Sequence, residues 1–335
     1  MLGVVFTLLA AASFGLSNAS VRRAVLTGTV TQAVVVSMPI GLVMFAAAAL
    51  ATGQLDLLGE FSPDAYLLLA AAGLVHFLFG RYCNYRSIEA MGANLSAPLQ
   101  QWSFFVALAL AIVFLAEVLT VLRIAGIVLM FVGPAMIFAG QRAGRAPKPA
   151  PVPRPAGAAA SPVPAFTPRI VEGYVFGILS CLGYGTSPVL VRAGLEGSGA
   201  ALAGGTVSYG AAMVVILAFL ATRGARRQVG AIDRTSLRWF LVNSVTVCIS
   251  QMFLYAALAL APVTVVQPIM RFSTVFRTLF SWMLNREHES FEPNVLWAIA
   301  ISIVGALALT IDAGWVVRML DAPPWLAQTL LWRWP

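Results

Sequence analysis

The chain has 335 residues, 60% of them hydrophobic and only 10% charged, with 21 Lys and Arg against 13 Asp and Glu for a formal charge of +8. That is too little polar surface to coat a water-soluble globule of this size, so the sequence predicts an integral membrane protein whose solvent is lipid. The positive balance is spread over loops, which reads as membrane topology and excludes a nucleic-acid-binding patch.

About 20 apolar residues cross a hydrocarbon core, and stretches of that length fall at residues 3–22, 30–51, 65–87, 94–115 and 119–139. The first has no basic leader and has a counterpart after residue 170, so it reads as a retained span rather than a secretion signal. Residues 141–168 follow, with Arg142, Arg145, Lys148 and Arg154 among eight prolines. Such a segment cannot bury enough surface to fold and reads as a disordered tether whose cations can meet anionic lipid headgroups. Five more spans come at 171–191, 201–221, 237–261, 264–284 and 294–313, and the Trp-rich tail 315–335 reads as interfacial. Cys83, Cys181 and Cys248 all fall inside spans without metal or redox spacing and read as packing residues.

The two sets of spans repeat each other at a constant offset of 170 residues. Gly3-Val4-Val5-Phe6 falls on Gly173-Tyr174-Val175-Phe176, Gly15 on Gly185, Ser17 on Ser187, Val21-Arg22 on Val191-Arg192, Tyr85 on Tyr255, Pro98 on Pro268, Ser103 on Ser273 and Glu117 on Glu287. Five spans per copy is an odd number, so the copies enter the membrane in opposite directions, the architecture of alternating-access transporters. The expected fold is therefore an all-α integral membrane protein with ten transmembrane helices in two inverted five-helix repeats, 1–140 and 169–314. Fourteen of the 21 basic residues share the linker's side and four lie opposite, which predicts a cytoplasmic linker with both termini outside.

An ionisable side chain at mid-span costs about 3 kcal/mol on insertion scales, so it normally faces protein or a water-filled cavity. Arg81, Arg271 and Arg277 stand there. At 100° per residue, Gln267, Met270, Arg271, Thr274, Arg277, Thr278 and Ser281 share an arc of about 120° on the ninth span. On the third span Arg81 and Tyr85 share a face, with His76 less well aligned; their mates Gln251 and Tyr255 do the same on the eighth, and Gln101 is the mate of Arg271. Ser17, Asn18 and Ser187 add small polar groups on the first and sixth spans. No Asp or Glu lies deep in a span; Glu89, Glu117, Glu287 and Asp312 sit at predicted ends. Unpaired guanidiniums favour an anionic guest, whose carboxylate or phosphate fits their planar fork of donors.

A purely structural reading stands beside this one. Arg81 and Arg277 are each close enough to a span end to snorkel, Tyr85 and Tyr255 are suited to packing, Ser17, Asn18 and Ser187 to helix contacts, and His76 to a buried neutral role. No metal-ligand spacing, GxSxG or phosphate-cradling glycine loop is present, so no metal, cofactor or enzymatic activity is expected.

The segments Phe14-Gly15-Leu16-Ser17-Asn18 and Tyr184-Gly185-Thr186-Ser187-Pro188, the mid-membrane prolines in Ser96-Ala97-Pro98-Leu99 and Val266-Gln267-Pro268-Ile269, and the glutamate turns Ala116-Glu117 and Arg286-Glu287 give the chain its family likeness. It resembles the drug/metabolite transporter superfamily, in particular EamA-type members. The resemblance implies a bacterial inner-membrane bundle with a central cavity lined by the first, third, fourth, sixth, eighth and ninth helices. It also implies export or exchange of small metabolites without ATP, with small molecules and membrane lipids as partners. The three span arginines and the basic linker depart from that pattern and point to organic anions. The leading expectation is a secondary transporter of a small organic anion, with Arg271 and Arg81 as charge partners and Gln101, Gln251, Gln267, Tyr85 and Tyr255 as orienting groups. The alternatives are a flippase for an anionic lipid or lipid-linked sugar and, further off, a membrane-embedded enzyme.

Overall fold

The computed structural model describes residues 1–25, 28–91, 93–116, 119–121, 124–129, 132, 169–285, 301, 304, 313–319, 321 and 323–334. The tether 141–168 and most of the fifth and tenth expected spans lie outside these residues, as do Glu117 and Glu287.

Among the described residues six helices are long and apolar enough to cross a membrane: Leu2–Ala24, Val30–Ala51, Pro63–Ala90, Val171–Gly194, Ala201–Leu220 and Arg234–Leu260. We label the elements α1 (Leu2–Ala24), α2 (Val30–Ala51), α3 (Pro63–Gly73), α4 (Arg81–Met91), α5 (Ala93–Leu115), α6 (Ile170–Gly194), α7 (Ala201–Leu220), α8 (Arg223–Gly230), α9 (Arg234–Leu260), α10 (Val263–Met270) and α11 (Ser273–Asn285). Their starts are written in the sequence. Thr29 and Gln32 form a reciprocal capping box on α2, Ser62 caps α3 with Pro63 in its first turn, and Asp233 accepts from the Thr235 and Ser236 N–H groups at the head of α9. Each side chain satisfies backbone donors that a helix start leaves open.

The packing repeats at the sequence offset. α1 runs antiparallel to α9, tied by Ser250 Oγ to Ala10 O at 2.8 Å and Ser17 Oγ to Asn243 Oδ1 at 2.7 Å. α6 runs antiparallel to the third span, where Ser87 Oγ donates to Gly173 O at 2.8 Å. A methyl added at Gly15 would lie 2.7 Å from Phe276 Cβ, and one added at Gly185 would lie 2.5 Å from Val106 Cβ. Phe276 is itself 170 residues beyond Val106. Arg22 donates to Ile88 O at 3.4 Å and Arg192 to Leu258 O at 2.9 Å, again one pair at the offset. The second helices cross antiparallel: Leu202 N donates to Gln54 Oε1 at one end and Gln32 Nε2 to Gln228 O at the other.

Three further features break this regularity. Between α3 and α4, residues Leu74–Gly80 form a wide π turn, while its counterpart lies in the uninterrupted α9. The fourth span α5 is one helix, while its counterpart is split into α10 and α11. The loops differ in charge: Asp56, Glu60 and Asp64 lie exposed after α2, while Arg223, Arg226, Arg227, Arg234 and Arg238 lie exposed after α7. Two short tail helices, α12 (Ala313–Met319) and α13 (Pro324–Leu331), lead to Arg333–Trp334 (β2), which pairs antiparallel with Leu119–Thr120 (β1).

Candidate functional site: a central cationic cavity

The break in the ninth span makes the site. Pro268 sits inside the last turn of α10, without an N–H of its own to join the ladder, and α10 closes with tight bonds from Arg271 N to Pro268 O and Phe272 N to Ile269 O, both 3.0 Å. α11 restarts at Ser273. Arg271 stands in the gap and reaches across to α5. Its Nη1 donates to Gln100 O and Ser103 Oγ, each at 2.8 Å, its Nη2 to Gln267 Oε1 at 3.1 Å and its Nε to Gln267 O at 3.3 Å. A guanidinium has five N–H donors, so one is left over. No carboxylate pairs with Arg271 among the described residues.

Around this gap lies a cavity of about 50 Å³, room for roughly four waters. Gln267, Met270, Arg271, Thr274 and Arg277 line it from the ninth span, five of the seven residues placed on the polar arc by helical periodicity. Thr278 instead donates to Thr274 O, and the Ser281 side chain lies outside the described residues. From the other helices come Asn18, His76 and Gln251. Gln251 Nε2 meets His76 Nε2 at 3.2 Å, and the imidazole ring lies 4.6 Å from that of Tyr184. If the amide donates, the imidazole is neutral with its proton on Nδ1. Gln251 is 1% exposed and its Oε1 has no partner among the described residues.

Five expected site residues lie elsewhere. Arg81 is 1% exposed and turned between α2 and α7, donating to Ser37 Oγ at 2.9 Å and Tyr209 OH at 3.1 Å with the Phe77 ring 5.0 Å away. The reason is the π turn: Arg81 N–H bonds back to His76 O, so the extra residue shifts the phase of everything after it. Tyr85 accepts from Asn243 Nδ2 at 3.0 Å, and Asn243 also takes the Ser17 hydroxyl, so Tyr85 and Ser17 belong to a buried packing network. Tyr255 packs edge-on to Phe45 at 5.6 Å, and Ser187 is buried within α6 without lining the cavity. The Gln101 side chain lies outside the described residues; its neighbour Gln100 faces the cavity.

Other lining residues escaped the sequence reading. Gln100 bonds Asn84 Oδ1 and, at 3.3 Å, Ser180 Oγ, while Asn84 Nδ2 lies 3.4 Å from Tyr184 OH. Ser103 and Ser273 both line the cavity and are repeat mates, as are Phe14 and Tyr184. Mating at the offset was the available signal: polar or aromatic pairs at pseudo-equivalent positions mark the surface where the two sets of helices face each other.

A helical membrane protein with a cation-lined polar cavity at a broken helix belongs to the class of integral membrane transport proteins. The chain belongs to the EamA-like transporter family, whose model matches residues 1–139 and again 171–311. Sixteen chains of solved structures match its fold; one, a crystal structure 16% identical, aligns with a TM-score of 0.63 over 95% of this chain and 99% of its own. At that identity the likeness speaks to the fold alone. A search of curated proteins returns no match.

Proposed function

We propose that this protein is a secondary transporter of a small organic anion, built as ten spans in two inverted halves that expose the central cavity to each side in turn. The observation that carries the substrate class is Arg271 in the helix break, held by neutral acceptors with no carboxylate partner among the described residues. The first turn of α11, with Ser273 and Thr274, lines the same cavity. A helix N-terminus adds partial positive charge where an anion would sit. Arg271, Arg277, Asn18, His76, Gln251, Gln267 and Thr274 are the proposed binding residues. The two antiparallel sets of contacts at the 170-residue offset and the double match of one family model support the inverted duplication. A cavity of about 50 Å³ is too small for a metabolite, so this conformation is contracted and the halves must part to load it.

The test is uptake of labelled carboxylates and phosphate esters into proteoliposomes. Arg271→Ala is expected to cut uptake at least about tenfold, the effect of losing a charged hydrogen bond in a desolvated site. Uptake at the unmodified rate by a well-folded Arg271→Ala protein rules out the arginine mechanism. A second reading, flipping of an anionic lipid, draws on a separate apolar cleft of about 570 Å³ between α1, α2, α7 and α9, lined by Phe6, Met44, Leu202 and Phe253. Scrambling of a labelled anionic lipid without uptake of soluble anions selects it instead.

A further inference from the structure

Where α4 ends and α6 begins, four charged side chains interlock. Arg86 bonds Glu89 on its own helix and, through Nη2, Glu172 Oε1 of α6 at 2.6 Å. Arg169 reaches Glu172 Oε2 at 3.2 Å and Glu89 Oε2 at 3.9 Å. Two backbone acceptors close the same seam: Arg169 N donates to Ala90 O at 2.9 Å and Ser87 Oγ to Gly173 O at 2.8 Å. The cluster therefore joins the first set of helices to the second at the end where the chain enters α6.

The pseudo-equivalent seam, at the opposite end, has no ion pair among the described residues. At the 170-residue offset Arg86 becomes Ala256, Glu89 becomes Ala259 and Glu172 becomes Leu2. Ala256 and Ala259 there line the apolar cleft of about 570 Å³, together with Phe6, whose mate Phe176 packs on Tyr82 at the charged seam. One seam is tied by ions and the other opens into a cleft, although the backbones are related by the same repeat. Packing and the Arg192 bonds to Leu258 O and Ala259 O serve the second seam, and the first has the matching Arg22 bond to Ile88 O as well, so the four charges are not a requirement of the fold.

We infer that Arg86, Glu89, Arg169 and Glu172 form a latch that holds the linker end of the transporter shut and must break once in every transport cycle. The inference rests on the transport reading above, and it assigns positioning residues rather than substrate contacts. The side chains are 24–52% exposed, a setting in which ion pairs are weak and salt-sensitive. Such a latch biases an equilibrium without freezing it, as a repeatedly broken contact requires.

Ala90 is fully buried beside the latch and supplies the reporter. In full-length protein carrying Cys83→Ser, Cys181→Ser, Cys248→Ser and Ala90→Cys, labelling by a membrane-impermeant maleimide from the linker side reads opening directly. Arg86→Gln or Glu172→Gln is expected to raise the labelling rate about fivefold, the scale of a partly exposed pair. The fourfold exchange Arg86→Glu, Glu89→Arg, Arg169→Glu and Glu172→Arg, which keeps every contact opposite in sign, restores slow labelling, and raising the salt concentration in the unsubstituted latch accelerates it. Equal rates in all variants, or an exchange variant as fast as the single ones, overturn the latch. The readout needs no substrate, so a failed anion-uptake assay leaves this result standing and the converse is equally separable.

Discussion

Arg81 and Arg271 are both arginines within spans, yet their surroundings predict opposite mutant behaviour. Arg81 is packed among Ser37, Phe77 and Tyr209, so Arg81→Ala leaves a hole and is expected to cost about 3 kcal/mol of stability, read as thermal unfolding in detergent. Arg81→Met refills most of that volume. The lost hydrogen bonds, about 1.5–3 kcal/mol each, are offset by the relieved desolvation of a buried charge, so Met should fall within about 1 kcal/mol of the native stability. Neither substitution should change the KM for the transported anion. Arg271→Lys, by contrast, preserves charge but cannot span Gln100, Ser103 and Gln267 at once, so uptake should fall about tenfold with the fold intact. Arg271, Arg277, Gln267, Thr274, Gln251, Asn18 and His76 come together at the cavity wall because polar side chains inside spans have few other places to go. Arg81 and Tyr85 lie beyond a π turn that no residue pattern announces, and neither lines the cavity.

At the level of elements, helix length and composition were legible almost to the residue: the expected second span, 30–51, coincides with α2, Val30–Ala51. The split of the ninth span was only half legible. Pro98 and Pro268 are repeat mates, yet only the second accompanies a broken helix, so proline marks where a helix can break and tertiary contacts decide whether it does. Pro268→Ala restores a backbone donor and favours a continuous helix. The expected outcome is higher thermal stability with uptake reduced at least about threefold, because the first turn of α11 no longer faces the cavity. The crossing of α2 and α7 carries a second element-scale prediction. Gly41 lies under the Tyr209 ring and Gly205 under the Phe45 ring, where an added methyl would stand 2.0 Å from ring carbon in both cases. Alanine at either position should cost about 1–3 kcal/mol through overpacking, and the double variant should show whether both act on one contact.

For the whole molecule, the two ends carry opposite charge. The Arg223–Arg238 region shares its end with the latch, while Asp56, Glu60 and Asp64 occupy the other. By the positive-inside rule this distribution favours a cytoplasmic linker end, which we propose as the orientation. In intact cells, an impermeant thiol reagent should label Glu60→Cys and spare Arg227→Cys in a cysteine-free background; the reverse pattern inverts the topology. Among the described residues no Asp or Glu stands deep within a span, and the cavity's ionisable side chains include Arg271, Arg277 and His76. On the anion-transport proposal, with the His76 imidazole staying neutral, a monovalent anion moved alone crosses as net current. A 100 mV potential, negative inside, then biases its distribution by about 2.3 kcal/mol, roughly fiftyfold toward the exterior. On that proposal the membrane voltage favours export, and changing the sign of a valinomycin-imposed potassium diffusion potential should reverse the direction of flux; a flux indifferent to the sign shows that a coupled ion balances the charge.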